Sequence, residues 1–236
     1  MKRTLAIEGL RVGDVVSATS LHAAGGEVVA IVGPNGAGKT TLLEGILGLR
    51  PASGGVTFEG RLLRSFRDRA AVFAYMPDEA VLPEEASVDT VLRAAHDDPT
   101  RREREARRFG IERFLTRSAG ALSRGEGKRV ALAATVLGGR PVLVLDEPFG
   151  AFDPLQLDLL VPATREALGD DGIALVTIHQ MSVAERLADR IVIMADGKVV
   201  AEGTLAELRA RADRADASLE QVFRILLEQE PSHVAP

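Results

Sequence analysis

Four continuous runs of apolar residues are the clearest pattern along the chain. They cover residues 28–32, 141–146, 173–178 and 191–194, and segments with helical spacing separate the later three. Unbroken apolar runs of this length are typical of parallel strands buried on both faces of a sheet. The pattern therefore predicts an α/β fold in which a mainly parallel sheet carries helices on both faces.

Shorter runs with strand-like composition lie around the first apolar run. Residues 4–8, 12–17 and 56–59 predict a small antiparallel β subdomain at one edge of the core. From about residue 81 to 137 the strand pattern gives way to charged segments rich in Arg and Ala. Their helical spacing predicts an inserted helical subdomain.

The last part of the chain changes pattern again. Asp196 and Gly197 predict a tight hairpin turn, and residues 205–211 and 219–227 predict amphipathic helices. We therefore expect a single domain over residues 1–236. Its expected parts are a catalytic core with the antiparallel edge (1–80 and 138–204), the helical subdomain (81–137) and a C-terminal helical tail (205–236).

The composition is that of a globular protein. The chain has 236 residues, of which 46% are hydrophobic and 27% charged, and it is long enough to bury a sizeable core. No apolar stretch approaches the roughly 18 to 20 residues that a membrane-spanning helix needs, and the N-terminus does not resemble a signal peptide. The absence of cysteine excludes disulfides and thiolate chemistry. We expect a cytoplasmic chain.

The charge pattern argues against nucleic acid as a partner. The net charge is −5, and the most basic segment, residues 101–108, intersperses Glu among its Arg residues at helical spacing. Such mixed charge is more typical of a solvated helix face than of a nucleic-acid patch. No nucleic-acid partner is expected.

A phosphate-binding pattern, G-x-x-x-x-G-K-[ST], follows the first apolar run. It consists of Gly33, Pro34, Asn35, Gly36, Ala37, Gly38, Lys39 and Thr40, and Thr41 continues it into a predicted helix. The glycines let backbone N–H groups and the helix N-terminus face an anion. We expect Lys39 to reach the terminal phosphates of a nucleoside triphosphate and Thr40 to be a ligand of Mg²⁺. The pattern predicts a P-loop NTPase core.

A second nucleotide motif ends the apolar run at residues 142–145. Asp146 lies at the carboxyl end of this predicted strand, where it is expected to hold Mg²⁺ through water close to Thr40. Glu147 follows directly. A carboxylate there can polarise the water that attacks the γ-phosphate, so Glu147 is the expected general base.

Three further segments complete an ordered set of motifs. Residues 122–126 have the sequence LSRGE, Phe152 and Asp153 follow the second acidic motif, and His179 follows the run at 173–178. In order and spacing this set resembles the signature, D-loop and switch histidine of the ABC-type ATPases. The resemblance covers nearly the whole chain, and it implies an ATPase that uses ATP and Mg²⁺.

The resemblance also implies how the motifs act. A second cassette, identical to this chain or different from it, is expected to face it head to tail. Residues 33–41 of one cassette and Ser123 and Gly125 of the other are expected to enclose one ATP. His179 is expected to bind the γ-phosphate and orient Glu147 or water, and Asp153 to contact the opposite chain.

The chain departs from the family pattern at several positions. Asp78 stands where the family has a glutamine, so its contact with Mg²⁺ is either direct or through water. In the signature, Arg124 replaces a glycine and Glu126 replaces a glutamine. No aromatic residue precedes Phe58, so the usual stacking partner of adenine is missing, and Arg11 or Val12 falls near the matching place.

The resemblance implies a role in transport. A lone cassette of this family usually powers a separate transmembrane permease, which places it on the cytoplasmic face of the inner (plasma) membrane. The region around Asp78 and the short helical insert are expected to dock on the permease. The pattern of the tail at residues 203–208 and 218–223 resembles bacterial exporter cassettes, so export is expected over import.

The sequence is compatible with other functions. One is a soluble ABC-type ATPase that acts on ribosomes or DNA, although the chain has one cassette and no sustained heptads. Another is a regulatory cassette of a heterodimer, which the altered Asp78 and Glu126 favour and the retained Glu147 and His179 oppose. A GTPase is disfavoured because no N-K-x-D guanine-binding segment is present.

Overall fold

The computed structural model describes residues 2–229. His233, expected to be a surface or structural residue, and the end of the predicted tail lie outside these residues. The strands of the described chain are β1 (Thr4–Val12), β2 (Val16–Ala24), β3 (Val28–Val32), β4 (Ser53–Phe58), β5 (Arg61–Leu62), β6 (Phe73–Met76), β7 (Val142–Asp146), β8 (Ile173–Thr177), β9 (Arg190–Ala195) and β10 (Lys198–Gly203).

Helices connect these strands and cover the sheets. They are α1 (Lys39–Leu47), α2 (Phe66–Val72), α3 (Val88–Ala95), α4 (Pro99–Arg108), α5 (Arg124–Leu137), α6 (Pro154–Leu168), α7 (Met181–Leu187), α8 (Leu205–Arg211) and α9 (Leu219–Glu228). Short 3-10 turns lie at Glu112–Phe114 and Ala119–Ala121.

The main sheet has six strands in the order β10-β9-β3-β8-β7-β6. Every neighbouring pair is parallel except β9 with β10. All residues of β3, β7 and β8 are buried, as their unbroken apolar sequences predict. Because parallel strands share their carboxyl edge, the segments that follow β3, β6, β7 and β8 meet at one edge of the sheet.

A separate antiparallel sheet has the order β2-β1-β4-β5. One face of the main sheet, which includes Val29 and Ile31, shares a core with α1 and with Leu5 and Ile7 of this second sheet. The other face, which includes Ala30, packs against helices from the rest of the chain. The α/β fold with an antiparallel sheet and helices is as predicted.

The start of the chain differs from the prediction. The strand predicted over residues 12–17 is wrong, because Val12 ends β1, Val16 begins β2 and a turn joins them. Gly13 has a φ of +52°, a left-handed conformation that glycine adopts without strain. The short strand β6 was not predicted at all.

Residues 81–137 contain α3, α4 and α5 with their 3-10 turns. Two serines start the helices at either end of this segment. Ser87 accepts a hydrogen bond from the backbone N–H of Thr90 at the start of α3. Ser123 likewise accepts from the backbone N–H of Glu126 at the start of α5, and the Glu126 carboxylate accepts from the backbone N–H of Ser123. The beginning of α5 is therefore fixed at the predicted signature.

Candidate ATP site

The phosphate loop joins the end of β3 to the start of α1. Gly36 and Gly38 have φ values of +81° and +91°. Residues that carry a Cβ atom rarely adopt such values. A Cβ atom on Gly33 would lie 2.3 Å from the carbonyl oxygen of Met194. The loop thus needs glycine for backbone conformation and for close packing, and the amide groups at the start of α1 are left available to an anion.

Lys39 is buried at the start of α1. Its Nζ atom donates hydrogen bonds of 2.9 and 3.2 Å to the carbonyl oxygens of Gly33 and Pro34. Burial lowers the pKa of Lys39, while the carboxylates of Glu147 and Asp146 act in the opposite direction. The ammonium group therefore sits inside the loop, between the backbone and the acidic motif.

Asp146 connects three elements at the carboxyl edge of the sheet. The Thr40 hydroxyl donates to Oδ2 of Asp146 over 2.8 Å, and the Thr177 hydroxyl donates to Oδ1 over 2.5 Å. Only 2% of Asp146 is exposed. A carboxylate next to a threonine hydroxyl is the oxygen chemistry that Mg²⁺ prefers, so the residues present fit this ion.

Glu147 is held in an unusual conformation just beyond β7. Its φ of +48° is rare for a residue other than glycine, and its backbone N–H donates to the Thr177 hydroxyl over 2.9 Å. Its Oε2 atom accepts a 3.1 Å hydrogen bond from the backbone N–H of His179. The strained backbone aims the carboxylate toward the segment that carries His179.

The second oxygen of Glu147 is poised for a further partner. Oε1 is buried without a hydrogen bond, although Nε2 of His179 lies 3.2 Å away. Burial raises the pKa of Glu147 to about 7, against the opposing effect of Lys39. Burial, and then Lys39, lowers the pKa of His179. A carboxylate with a pKa near neutrality next to a neutral imidazole fits a proton acceptor.

A cavity of about 230 Å³ adjoins this group of residues. Glu147, Thr177 and His179 line it together with Asp78, Arg124 and Lys128. Asp78 follows β6, and its Oδ1 atom accepts a hydrogen bond of 2.8 Å from Nζ of Lys128 on α5. The structure therefore brings Asp78 to the same edge as the acidic motif, with a lysine as its bonded partner.

The other predicted site residues lie at helix starts. Ser123 caps α5, and Asp153 caps α6 by accepting from the backbone N–H of Gln156 over 2.9 Å. Gly125 is in the first turn of α5. Within residues 2–229, neither the Ser123 nor the Asp153 side chain bonds to Lys39 or Glu147.

Three residues next to the site were not predicted from the sequence as site residues. Thr177 bonds to both members of the acidic motif, and Lys128 pairs with Asp78. The sequence feature that could have identified Thr177 is a hydroxyl residue at the carboxyl end of an apolar strand. Val15 is 47% exposed, and one of its methyl carbons lies 3.5 Å from where a Cβ of Gly38 would stand.

Val12 is excluded as a platform for the base. It is only 2% exposed, and its Cγ2 atom would lie 2.3 Å from a Cβ on Gly45, so it packs against α1. Arg11, the other residue expected near adenine, is exposed.

Comparison with known proteins gives one consistent family. A model of the ABC transporter family matches residues 16–150. The thiamine import ATP-binding protein ThiQ of Shigella flexneri serotype 5b (strain 8401) is 34% identical over 212 aligned residues, 85% of this chain and 90% of the relative. The protein of the same name from Jannaschia sp. (strain CCS1) is 34% identical over 216 residues, 86% of this chain and 94% of the relative.

Solved structures give the same result. A structure described as the ATP-binding subunit of an ABC transporter superposes with a TM-score of 0.86 and 30% identity, over 94% of this chain and 99% of the other. A bacterial Atm1-family ABC exporter with ATP bound has a TM-score of 0.83 over 95% of this chain and 42% of the other, but at 21% identity it shows the fold alone. No helix within residues 2–229 combines the length and apolar character needed to span a membrane. The chain belongs to the ABC transporter family, in which it is an ATP-binding and ATP-hydrolysing subunit of a transporter.

Proposed function

We propose that this chain binds Mg²⁺–ATP at the carboxyl edge of the main sheet and hydrolyses it with Glu147 as general base. The observation that carries the proposal is the continuous set of bonds from Thr40 through Asp146 and Thr177 to Glu147 and His179. It joins the phosphate loop to the acidic motif, so a nucleotide bound at the loop would lie beside Glu147, the proposed general base.

Each residue has a definite task in this proposal. The backbone of residues 33–41 surrounds the phosphates, and Lys39 exchanges its bonds to Gly33 and Pro34 for the β- and γ-phosphate oxygens. Thr40 and Asp146 would hold Mg²⁺, and Asp78 would contribute directly or through water. Bound Mg²⁺ supplies charge neutralisation on the terminal phosphates.

Glu147 takes the proton of the attacking water. Its Oε1 atom is buried without a hydrogen bond, so it is free to accept one from water placed before the γ-phosphate. His179 binds the γ-phosphate and orients Glu147, whose Oε2 atom is already held by the His179 backbone. The retained pair argues for an active cassette over a regulatory one.

We infer that two cassettes close around the nucleotide. Ser123 and Gly125 start the 14-residue helix α5, whose N-terminal dipole would face the γ-phosphate bound by the opposite cassette. Asp153 starts α6 and would contact the opposite chain there. Closure then depends on ATP, because the γ-phosphate contacts both halves.

The adenine base is expected to lie against Val15. This side chain is half exposed beside Gly38 in the phosphate loop, whereas Val12 is buried. An aliphatic side chain can contact the face of a purine ring, but it forms no hydrogen bonds with the edge that distinguishes adenine from guanine. Discrimination between adenine and guanine should therefore be weak.

We infer that the partner is a transmembrane permease at the cytoplasmic face of the membrane. We propose the same division of the chain that its sequence predicts, namely a core (1–80 and 138–204), a helical subdomain (81–137) and a tail (205–236). The sequence favoured export, but the curated relatives at 34% identity are named as import subunits, whereas the exporter similarity shows the fold alone. We therefore propose import, and thiamine is the first substrate to test.

An affinity capture tests the partner. The Glu147→Gln protein is purified with ATP from gently solubilised cells of its own source, beside the wild type and a Lys39→Ala control that should not hold ATP. A polytopic membrane protein in stoichiometric amount supports the proposal. Recovery of ribosomes or DNA-bound proteins instead supports the soluble alternative.

A transport assay tests direction and substrate. Cells that lack this chain should take up less labelled thiamine, and the wild type but not the Glu147→Gln protein should restore uptake. Normal thiamine uptake in the deletion strain excludes this substrate. If the deletion strain is defective only in the efflux of a test compound, the direction of transport is export.

A further inference from the structure

An ion pair between α5 and the edge of the main sheet lies in the cavity that Glu147 and His179 also line. Nζ of Lys128 is 2.8 Å from Oδ1 of Asp78. The Lys128 side chain is 5% exposed and that of Asp78 is 48% exposed. The pair therefore ties a nearly buried cation on the signature helix to a half-exposed carboxylate that follows β6.

Lys128 depends on this partner. An ammonium group that is taken out of water is costly unless an opposite charge compensates it. Among the residues that the structure describes, Asp78 is the acid paired with it within 4 Å. The lysine is thus expected to hold the carboxylate firmly, and more firmly than a solvated surface pair would.

The pair lies in the part of the candidate site where the proposed function puts Mg²⁺–ATP. Asp78 and Lys128 line the same cavity as Glu147 and His179. A carboxylate drawn toward an ammonium group is partly neutralised, so it attracts a second cation less strongly. Any contact of Asp78 with Mg²⁺ must compete with Lys128.

We propose that Lys128 is a positioning residue that competes with Mg²⁺ for the Asp78 carboxylate and so sets the Mg²⁺ concentration at which nucleotide binds. This inference rests on the proposed function, because it takes the Mg²⁺ site near Asp78 from there. It assigns to α5 a role in the nucleotide site of its own chain, in addition to the proposed contact with the opposite cassette. If Asp78 contacted Mg²⁺, Lys128 would lose its partner, and this would link metal binding to the position of the signature helix.

The test is a Mg²⁺ titration of nucleotide binding with the full chain. A non-hydrolysable ATP analogue with a methylanthraniloyl fluorophore reports binding, so the readout does not depend on turnover. Lys128→Met removes the charge and nearly keeps the shape, and it should lower the Mg²⁺ midpoint about three- to tenfold. Lys128→Arg keeps the cation and should stay within about twofold of the wild type.

Two controls distinguish the effect of the ion pair on the Mg²⁺ midpoint from the effect of removing a positive charge in general. In an Asp78→Asn background, adding Lys128→Met should no longer shift the midpoint, because the carboxylate that both cations share is gone. Arg93→Met removes a cation that pairs with Asp89 on α3 and does not line this cavity, and it should leave the midpoint within about twofold of the wild type. Circular dichroism establishes that each variant is folded.

Several results would overturn the inference. These are a midpoint in Lys128→Met that is unchanged or higher, a shift that persists without the Asp78 carboxylate, or an equal shift in Arg93→Met. A loss of Mg²⁺-free analogue binding in Lys128→Met would also overturn it, because the lysine would then act on phosphate. If nucleotide binding by the wild type is independent of Mg²⁺, the proposed Mg²⁺ site itself fails.

Discussion

Nε2 of His179 lies 3.2 Å from Oε1 of Glu147, and the backbone N–H of the same histidine donates a 3.1 Å hydrogen bond to Oε2. One residue thus faces both oxygens of the carboxylate. This arrangement fixes the direction of the Glu147 side chain while Oε1 keeps a free lone pair for water. Burial raises the pKa of Glu147 to about 7, so the group can both take and release a proton near neutral pH.

The raised pKa predicts a pH dependence of stability in the absence of metal and nucleotide. The folded state keeps a proton on Glu147 that the unfolded chain loses near pH 4.5, so stability falls as pH rises from there through about 7. The contribution has a limiting slope of about 1.4 kcal/mol per pH unit. Urea unfolding in EDTA, between about pH 5 and about pH 8, should therefore show Glu147→Gln gaining stability relative to the wild type as pH rises.

A matched variant checks the specificity of that effect. Glu103 is exposed on α4, and Glu103→Gln should follow the wild type across the same range. Parallel stability curves for Glu147→Gln and the wild type would show that burial does not shift the titration of Glu147.

Thr177→Val is predicted to impair hydrolysis. The Thr177 hydroxyl donates to Asp146 and accepts from the backbone N–H of Glu147, so its loss leaves two buried polar groups without a partner. We expect a stability loss of about 1 to 3 kcal/mol and a fall in kcat of about tenfold or more. Denaturant unfolding and phosphate release at saturating Mg²⁺–ATP measure the two effects.

Thr164→Val is the control for the Thr177 prediction. Thr164 is also buried, but its hydroxyl donates to the carbonyl oxygen of Leu160 within α6, away from the site. Hydrolysis should be unchanged in this variant. Equal losses of kcat in the two threonine variants would mean that the fall in kcat is not specific to the hydrogen bonds of Thr177.

The hairpin turn at Gly197 is predicted to support the phosphate loop. Its N–H donates to the Ala37 carbonyl, and its own carbonyl accepts from the Ser17 backbone. A Cβ at Gly197 would lie 1.8 Å from the carbonyl oxygen of Val15. Gly197→Ala should cost about 3 kcal/mol or more and weaken ATP binding, because both the loop and Val15 must shift.

Gly60 provides a control with the same backbone conformation. Its φ is +76°, close to the +72° of Gly197, but nothing lies within 4 Å of the position of a Cβ. Gly60→Ala should cost about 1 kcal/mol and leave ATP affinity unchanged. Equal thermal destabilisation in the two variants would show that the contact with Val15 is relieved cheaply.

The parts of the site that are continuous in sequence could be predicted from the sequence. The phosphate loop requires glycines at fixed spacing before a lysine, and Asp146 and Glu147 end an apolar strand, so local chemistry identifies them. Their assigned tasks remain proposals. The α/β fold followed from the same apolar runs.

The parts that depend on strand pairing could not be predicted. Thr177 bonds to the acidic motif because the register of β7 and β8 places it beside Asp146. A linear sequence does not show strand register. Lys128 meets Asp78 across 50 residues of chain. The strand β6 has only four residues, and the turn at Gly13 divides a run that appears continuous.

Hydrolysis by the Glu147→Gln protein tests the role of Glu147 most directly. Phosphate release at saturating Mg²⁺–ATP should fall at least about 100-fold, while affinity for a fluorescent ATP analogue stays within about threefold of the wild type. Glu103→Gln should keep wild-type values of both. Turnover by Glu147→Gln within about twofold of the wild type would contradict the assignment of Glu147 as the general base.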